Sequence, residues 1–413
     1  MSNALIKNII PLTELLLDVI DNRGKTVPVQ DSGFPLIATN CIKHSSIYPT
    51  FEKIRYISQE TKKNWFRSEL QPDDILFVNK GSPGRVCMVP NPVTFCAAQD
   101  MIGLRVKKDI VYVKYLFAVL RSSKIQEKIA NFHVGIAIPH FKKSDLHNIE
   151  IPLPKMNTQR KIGDLYFSMS EKIELNNKIC SELESLAQDL YHYWFTQFDF
   201  PDENGKPYRS SGGRMEWNKE LRREIPEGWN VGTLANIATI IMGQSPNGNS
   251  LNVDENGLIF FQGCTDFTFR FPTRRLYTTE PSRIAQSGDI LLSVRAPVGM
   301  INIAIDKCCI GRGLSALHSN TKHDSYLLYL MKSKKEQLDV HNRNGTTFGS
   351  IDKDSLFGLS IELAPEKIKA NFNRLIIPID DQIKNACKES LELAQLRDFL
   401  LPLLMNGQVS VCG

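Results

Sequence analysis

Hydrophobic and polar residues follow two different patterns along the chain, and the same change of pattern occurs in each half. The first pattern consists of short apolar runs rich in Val, Ile, Phe, Tyr and Thr, separated by Gly, Pro and Asn turns. Such runs predict strands joined by irregular loops. Residues 113–131 and 323–338 are instead helical in composition. The predicted fold class is therefore α+β.

The second pattern is a repeat of apolar or small residues in steps of three and four, which is typical of paired helices. In residues 155–195 the repeat falls on Ile162, Leu165, Met169, Ile173, Asn176, Cys180, Leu183, Ala187, Leu190 and Trp194. In residues 366–405 it falls on Ile368, Phe372, Leu375, Ile379, Ile383, Ala386, Ser390, Leu393, Leu396, Leu400 and Leu403. We expect two long helices that pair antiparallel, although two ordinary core helices of separate domains would give the same pattern.

Two residues of these helices carry separate expectations. Asn176 lies in the apolar repeat, where it either fixes the register of the pair or faces solvent. Pro378 lacks an N–H group and predicts a kink or a broken first turn in the second helix.

The chain contains one long internal repeat. The segment QPDDILFVNKGSPG (71–84) matches QSGDILLSVRAPVG (286–299) at an offset of 215 residues. Further matches follow in the same order: 15–26 with 234–245, 35–40 with 258–263, 135–146 with 345–356, and 183–191 with 393–401. A period of this length is too long for a solenoid. It predicts two copies of one domain-plus-helix unit, related by a pseudo-two-fold axis.

These patterns divide the chain into five segments. The predicted segments are a first domain (1–153), a central helix (154–198), a linker (199–224), a second domain (225–364) and a C-terminal helix (365–413). The linker is assigned from its Gly, Pro, Ser and charged residues.

Composition adds little to this description. The 413 residues are 42% hydrophobic and 23% charged, which is typical of globular proteins. A net charge of +5 permits an anionic partner without requiring one. Nine cysteines without a C-x-x-C pair indicate the reduced thiols of a cytosolic protein. The sequence shows no signal peptide and no apolar stretch of about 18 residues, so we expect a cytoplasmic protein.

The motifs of common enzymes are missing. Gly-Lys-Thr at 24–26 resembles part of a phosphate-binding loop, but Val19 replaces the required glycine. We find neither an amine-methylation motif nor a metal-dependent nuclease motif. Three histidines between residues 133 and 147 are spaced by seven, but Pro139 breaks any helix there. The sequence therefore predicts no catalytic residue and no metal site.

Basic side chains instead occur among aromatic residues, Gln, Asn and Thr in both repeats. Arg and Lys can neutralise phosphates, and Arg, Asn and Gln can bind base edges. The candidate DNA-binding residues of the first domain are Arg23, Lys25, Thr26, Asn40, Lys43, Lys80, Ser82, Arg85, His140, Lys142 and Lys143. Those of the second domain are Gln244, Ser245, Gln262, Thr265, Arg270, Arg274, Arg275, Arg295, Arg312, Thr346, Thr347 and Ser350. Because the matched loops differ, two such domains would read two different half-sites.

Over essentially its whole length the chain resembles the specificity subunits of type I restriction–modification systems. The resemblance rests on RGKT (23–26), WFTQFDFP (194–201), IPEGWNVGTLANIATIIMGQSP (225–246) and GDILLSVRAPVG (288–299), together with the duplicated plan. It implies two similar α+β target-recognition domains, separated by two long antiparallel helices that form a coiled coil. Each domain would read one half of an asymmetric, bipartite duplex site through the major groove.

The resemblance also implies the partners. Two methyltransferase subunits would dock on the helices, and restriction or translocase subunits would join them. S-adenosylmethionine, ATP and Mg²⁺ would bind to those partners, so this chain would be non-catalytic and hold no cofactor. The residues leave two alternatives open: a protein-interaction scaffold without salt-sensitive DNA binding, and a methyltransferase or nuclease with unrecognised motifs.

Overall fold

The computed structural model describes residues 8–21, 25–131, 139–343 and 349–411. Its helices are α1 Gln59–Asn64, α2 Val113–Arg121, α3 Ser123–Asn131, α4 Met156–Tyr191, α5 Leu234–Ile237, α6 Asp324–Ser333, α7 Lys335–Arg343, α8 Lys353–Phe357 and α9 Glu366–Met405. The strands of the first half are β1 Ile9–Pro11, β2 Leu16–Ile20, β3 Phe34–Ile37, β4 Arg55–Ile57, β5 Ile75–Val78, β6 Val86–Met88, β7 Cys96–Ala97, β8 Met101–Val106 and β9 Glu150–Pro152. Those of the second half are β10 Met215–Asn218, β11 Arg223–Pro226, β12 Asn230–Thr233, β13 Ala238–Met242, β14 Leu251–Asn252, β15 Leu258–Phe261, β16 Leu276–Thr278, β17 Ile284–Ala285, β18 Ile290–Ser293, β19 Ile301–Ile303, β20 Cys308–Ile310, β21 Leu314–Ser319 and β22 Ser360–Leu363. The α+β prediction is confirmed.

The chain forms two compact units, of which the first is assembled from two separate stretches of the sequence. Unit 1 contains residues 1–176 and 389–413, and unit 2 contains residues 177–388. Each unit therefore takes one end of α4 and one end of α9. The predicted segments followed the order of the sequence, whereas the units group each globular part with the helix ends that pack on it.

Unit 1 is built around a four-stranded antiparallel sheet in the order β2-β8-β5-β6. A second sheet has the order β4-β3-β7, with β3 and β7 parallel. The central strand β5 is buried on both faces. Ile75 and Phe77 pack with α2, and Leu76 and Val78 pack on the second sheet. The alternation of strand side chains thus explains why this apolar run is continuous.

Unit 2 repeats the same topology. Its antiparallel sheet has the order β13-β21-β18-β19, and β15 and β20 pair in parallel within a five-stranded second sheet. The strand β18 lies 215 residues after β5, as the sequence match predicts, and it is also buried on both faces. The predicted internal repeat is confirmed.

Two of the predicted repeat matches are out of register. Val19 faces Leu104 across the sheet, and Ile240 faces the equivalent Leu317, so the match between β2 and β13 shifts by two residues. In the parallel pairs, Leu36 of β3 faces Cys96 and Phe260 of β15 faces Cys309. Leu36 is therefore equivalent to Phe260, one residue after the residue that the sequence match predicts. Strand pairing identifies equivalent residues more reliably here because both segments are short and apolar.

Within each unit the two helix ends run antiparallel. In unit 1, Ile162 lies near Leu404 whereas Asn176 donates a hydrogen bond of 2.7 Å to Glu389. Asn176 is buried, which supports its predicted role in fixing the register. In unit 2, the Sγ atoms of Cys180 and Cys387 lie 3.8 Å apart, and the rings of Tyr191 and Phe372 are in contact. The prediction of antiparallel pairing is confirmed for both ends.

Of the two outcomes expected for Pro378, the broken turn is not found, because α9 is one continuous helix through this residue; the kink stays a prediction. The missing N–H removes a single helical hydrogen bond, while buried Phe372, Ile376 and Ile383 hold the helix on both sides of it. Leu375 and Leu396 were also placed wrongly in the apolar repeat that was expected to face the partner helix, since 46% and 47% of their surfaces are exposed.

The segment predicted as a linker has more structure than its composition suggests. It contains β10 and the first half of β11, which pair as an antiparallel hairpin. At its start, Phe200 stacks on both Tyr208 and Trp229. A π-helical turn at His192–Thr196 ends α4 just before this aromatic cluster. Among the described residues, we find no helix long and apolar enough to cross a membrane.

Candidate nucleic-acid interface

In unit 1 the residues that follow β5, 79–81, lie beside residues 139–141. Lys80 and His140 form an isolated antiparallel bridge. The N–H of Gly81 donates to the carbonyl of Pro139 at 3.0 Å, and the N–H of Phe141 donates to the carbonyl of Asn79 at 2.8 Å. This backbone ladder brings two basic segments together that are distant in sequence.

In unit 2 the same ladder recurs with other side chains. Arg295 and Ser350 form the equivalent bridge after β18. The N–H of Ala296 donates to Gly349 at 2.9 Å, and the N–H of Ile351 donates to Val294 at 3.0 Å. The backbone is therefore conserved between the two units while the exposed residues at the bridge differ.

A third segment joins this arrangement in unit 2. The N–H of Val294 donates to the carbonyl of Gly313 at 2.9 Å, and the N–H of Gly313 donates to the carbonyl of Gln262 at 3.1 Å. In unit 1 the N–H of Asn79 donates to Asp100 in the same way, at 3.1 Å. The ends of several strands thus meet along one edge of each unit.

We name these surfaces by their central strands. The β5 edge consists of Lys80, Ser82, Arg85, His140 and Lys142. The β18 edge consists of Ser245, Gln262, Arg295, Arg312 and Ser350. All of them were candidates from the sequence, and the structure places each set on one edge.

The basic residues of both edges are available to an anionic ligand. Lys80, Arg85, Lys142, Arg295 and Arg312 are exposed. In the part of the chain that the structure describes, none of them has a carboxylate within ion-pair distance. Unpaired cations on exposed edges can neutralise phosphates or contact base edges.

Arg270 was wrongly predicted as a DNA-binding residue. Only 2% of its surface is exposed, and its guanidinium pairs with Glu184 of α4 at 2.6 Å and with Asp380 of α9. The hydroxyl of Tyr329 lies 3.5 Å from it. Burial by itself would lower the pKa of Arg270, but Tyr329 and the two carboxylates raise it, so the charge stays inside the unit. Arg270 therefore binds the helices of unit 2.

Several other candidates lie in ion pairs. Arg275 pairs with buried Asp266 at 2.7 Å, and this hydrogen bond raises the pKa of the guanidinium. Arg274 pairs with Asp306. Lys43 pairs with Glu52 at 2.9 Å, and Lys143 lies 3.9 Å from Asp21. DNA phosphates would have to compete with these carboxylates.

The remaining candidates are not in ion pairs among the described contacts. Lys25, Thr26 and Thr265 are exposed. The side-chain amide of Asn40 donates to the carbonyl of Glu52 at 2.6 Å. Gln244 is exposed, and its N–H donates to Ile310 at 3.0 Å. Three further candidates fall outside the described residues: Arg23, Thr346 and Thr347.

Gln99 is a further candidate that was not predicted from the sequence. The N–H of Ala98 donates to Ile37 as the N–H of Gly311 donates to Phe261, so Gln99 is the equivalent of Arg312. The signal was present in the short match of CAAQD (96–100) to CIGRG (309–313). Only the parallel strand pair shows that these two segments are equivalent.

Metal ligands do not converge in the described ranges. Within them, no group of three or more His, Cys, Asp or Glu side chains is arranged to hold a metal ion.

The chain thus contains two copies of one α+β fold, and each copy has an exposed basic edge with different side chains. This arrangement is typical of a binding protein with two similar recognition domains. The profile of the family described as "Type I restriction modification DNA specificity domain" matches twice, at residues 18–185 and 226–393.

Individual proteins agree with this match. The MjaX specificity subunit of Methanocaldococcus jannaschii, whose assignment to a type I restriction enzyme is provisional, is 30% identical over 96% of this chain and 92% of its own. The type I restriction enzyme HindI specificity subunit of Haemophilus influenzae is 21% identical over 83% of this chain and 88% of its own. A crystal structure of a type I restriction–modification S subunit from M. genitalium has the same fold, with a TM-score of 0.60 and 17% identity, covering 98% of this chain and 97% of that one.

The chain therefore belongs to the type I restriction–modification DNA specificity domain family and is a specificity subunit of such a system.

Proposed function

We propose that this subunit reads an asymmetric, bipartite DNA duplex, with each globular part reading one half-site. The observation that carries the proposal is the shared ladder with different side chains at the β5 and β18 edges. A common backbone would place both edges against DNA in the same way, and different side chains would then select different bases. Lys80 and Arg295 at the two bridges would supply phosphate contacts.

We further propose that the long helices bind the partner subunits. Several large apolar residues are exposed on α4 and α9: Leu175, Leu186, Leu375, Ile377, Leu391, Leu396 and Phe399. An exposed apolar helix face favours a protein partner over solvent. Two methyltransferase subunits would dock there and restriction or translocase subunits would join the complex. S-adenosylmethionine, ATP and Mg²⁺ would bind to those subunits, in the cytoplasm, and this chain would supply no catalytic residue.

The first test is co-expression of the full chain with the methyltransferase subunit of its system, followed by single-molecule mapping of adenine methylation on genomic DNA. We expect one bipartite motif with a fixed unread gap, and its loss when this chain is omitted. Methylation that does not depend on this chain would refute the proposal.

The docking surface is tested by Leu391→Glu on α9. We expect this change to abolish co-purification of the methyltransferase, because a charge would replace an apolar contact. Leu17→Glu on β2 is the matched control, since 67% of Leu17 is exposed but it lies outside the helices. Equal co-purification of both variants with the methyltransferase would place the docking surface elsewhere.

A further inference from the structure

We propose that Ser245, Gln262 and Arg312 form a preformed base-reading cluster, in which Gln262 specifies an adenine and Arg312 specifies a guanine of one half-site. The inference deepens the proposed function and rests on it. It assigns base contacts to two residues of the β18 edge and a positioning role to the third.

Three glycines allow the cluster to form. A Cβ atom at Gly243 would lie 2.2 Å from the carbonyl oxygen of Gly311, a distance that no real contact allows. A Cβ atom at Gly311 would lie 2.8 Å from Oε1 of Gln262, and one at Gly313 would lie 2.7 Å from the backbone oxygen of Gln262. Glycine is thus required at these positions for close approach of three chain segments.

The close approach holds the Gln262 side chain in place. The hydroxyl of Ser245 donates to Oε1 of Gln262 at 3.1 Å, and the N–H of Arg312 lies 3.5 Å from the same hydroxyl. The segment with Ser245 is itself fixed, because the N–H of Gly243 donates to Leu314 at 2.9 Å. An exposed glutamine normally samples several rotamers, and ordering it on binding opposes affinity. Ser245 reduces that cost by ordering the amide before DNA binds.

The donors and acceptors that remain match purine edges. Oε1 of Gln262 has a second lone pair and its amide nitrogen keeps two N–H groups, which is the set required for adenine N6 and N7. Arg312 is exposed and has no carboxylate partner in the described ranges. Its guanidinium can therefore donate two bonds to guanine O6 and N7.

The equivalent positions of unit 1 could not read the same bases. Ile37 accepts a hydrogen bond from the N–H of Ala98, and Phe261 accepts the equivalent bond from the N–H of Gly311. The residues that follow them, Ala38 and Gln262, therefore correspond. Arg312 corresponds to Gln99, which is only partly exposed. The cluster therefore makes the two units different in the way that an asymmetric target requires.

The experiment compares methylation motifs. The full chain carrying Arg312→Ala, Gln262→Ala or Arg312→Lys is co-expressed with the methyltransferase subunit, and methylated adenines are mapped genome-wide. The control is Arg274→Ala, which removes an exposed arginine that is already paired with Asp306.

We expect Arg312→Ala to relax one guanine position and Gln262→Ala to relax one adenine position in the same half-site. Discrimination at each position should fall about 5- to 150-fold, the range for one bidentate contact. Arg312→Lys should weaken guanine discrimination less than Arg312→Ala does, because an ammonium can still donate to guanine O6 and N7 but lacks the planar paired donors of the guanidinium. Arg274→Ala should leave the motif unchanged.

An unchanged motif with uniformly weaker methylation in the Arg312 and Gln262 variants would overturn the inference and leave only phosphate contacts. A guanine preference retained by Arg312→Ala would do the same. Failure of the proposed function has a different signature, since the unmodified complex would then produce no bipartite motif that depends on this chain.

Discussion

The buried position of Arg270 predicts that Arg270→Ala destabilises unit 2 strongly. The change removes the partner of Glu184 and Asp380 from a site where Arg270 and Glu184 expose only 2% and 6% of their surfaces. Removing one member of a buried ion pair costs about 3–5 kcal/mol. We expect about 3 kcal/mol, the lower end, because Glu184 keeps Lys332 and Asp380 keeps its hydrogen bond from Ser325.

Urea unfolding of the full chain measures this loss. Three of the four tryptophans, Trp194, Trp217 and Trp229, lie in unit 2, and Trp194 and Trp229 are buried there, so tryptophan fluorescence follows mainly the unfolding of this unit. With a slope of about 2 kcal/mol per molar urea, a loss of 3 kcal/mol lowers the midpoint by about 1.5 M.

The control for this measurement is Arg274→Ala. Arg274 also pairs with an aspartate, Asp306, but the two side chains are 56% and 52% exposed, so water replaces most of the interaction. We expect a midpoint close to that of the unmodified chain. Equal midpoints for the Arg270 and Arg274 variants would refute the assignment of Arg270 to the interior.

Three further predictions follow from the described contacts. Burial alone would raise the pKa of Glu184, but Arg270 and Lys332 outweigh it and lower the pKa below 4.5. The stabilisation is therefore present above pH 4.5 and lost as the pH falls through the lowered pKa, so the difference in unfolding free energy between the unmodified chain and Arg270→Ala should shrink there. Diamide should oxidise the thiols of Cys180 and Cys387 to a disulfide, detected by peptide mapping, and faster at high pH because burial raises the pKa of Cys387 to about 12. Gly243→Ala should relax the methylation motif as Gln262→Ala does, because the added Cβ displaces the segment that carries Ser245.

Each of these three predictions has its own control. Gly248→Ala introduces a Cβ with no atom within 4 Å, and its motif should stay unchanged. Cys387→Ala should block the cross-link, and a cross-link that still forms would show pairing through another cysteine. A difference in unfolding free energy that stays constant below pH 4.5 would show that Glu184 is not the group responsible.

The repeat and the helices could be predicted from the sequence because they depend on local periodicity. Continuous apolar runs identified β5 and β18, and steps of three and four residues identified α4 and α9. The apolar repeat predicted the wrong buried residue at Leu375, because Ile376, one residue later, occupies the buried position after Phe372. Periodicity alone cannot choose between adjacent apolar residues when both fit a helical step.

The candidate site could be predicted only in part, because exposure depends on distant partners. In sequence, Arg270 and Arg295 look alike, since both are arginines near aromatic or apolar segments. Arg270 is buried because it forms ion pairs with Glu184 and Asp380, which lie on two different helices. These contacts are distant in sequence, so no local pattern predicts them. Gln99 was missed for the same reason, since its equivalence to Arg312 depends on a parallel strand pair.

The two edges show how one backbone can serve two different targets. The bridges at Lys80 and Arg295 use main-chain hydrogen bonds, so their side chains can change without loss of the ladder. Glycine is needed where backbones touch, as at Gly243 and Gly311. Under the proposed function, new specificity would require changes at exposed side chains alone, such as Gln262, while buried residues and glycines stay fixed. Exchanging the exposed residues of one edge should therefore alter one half-site without unfolding either unit.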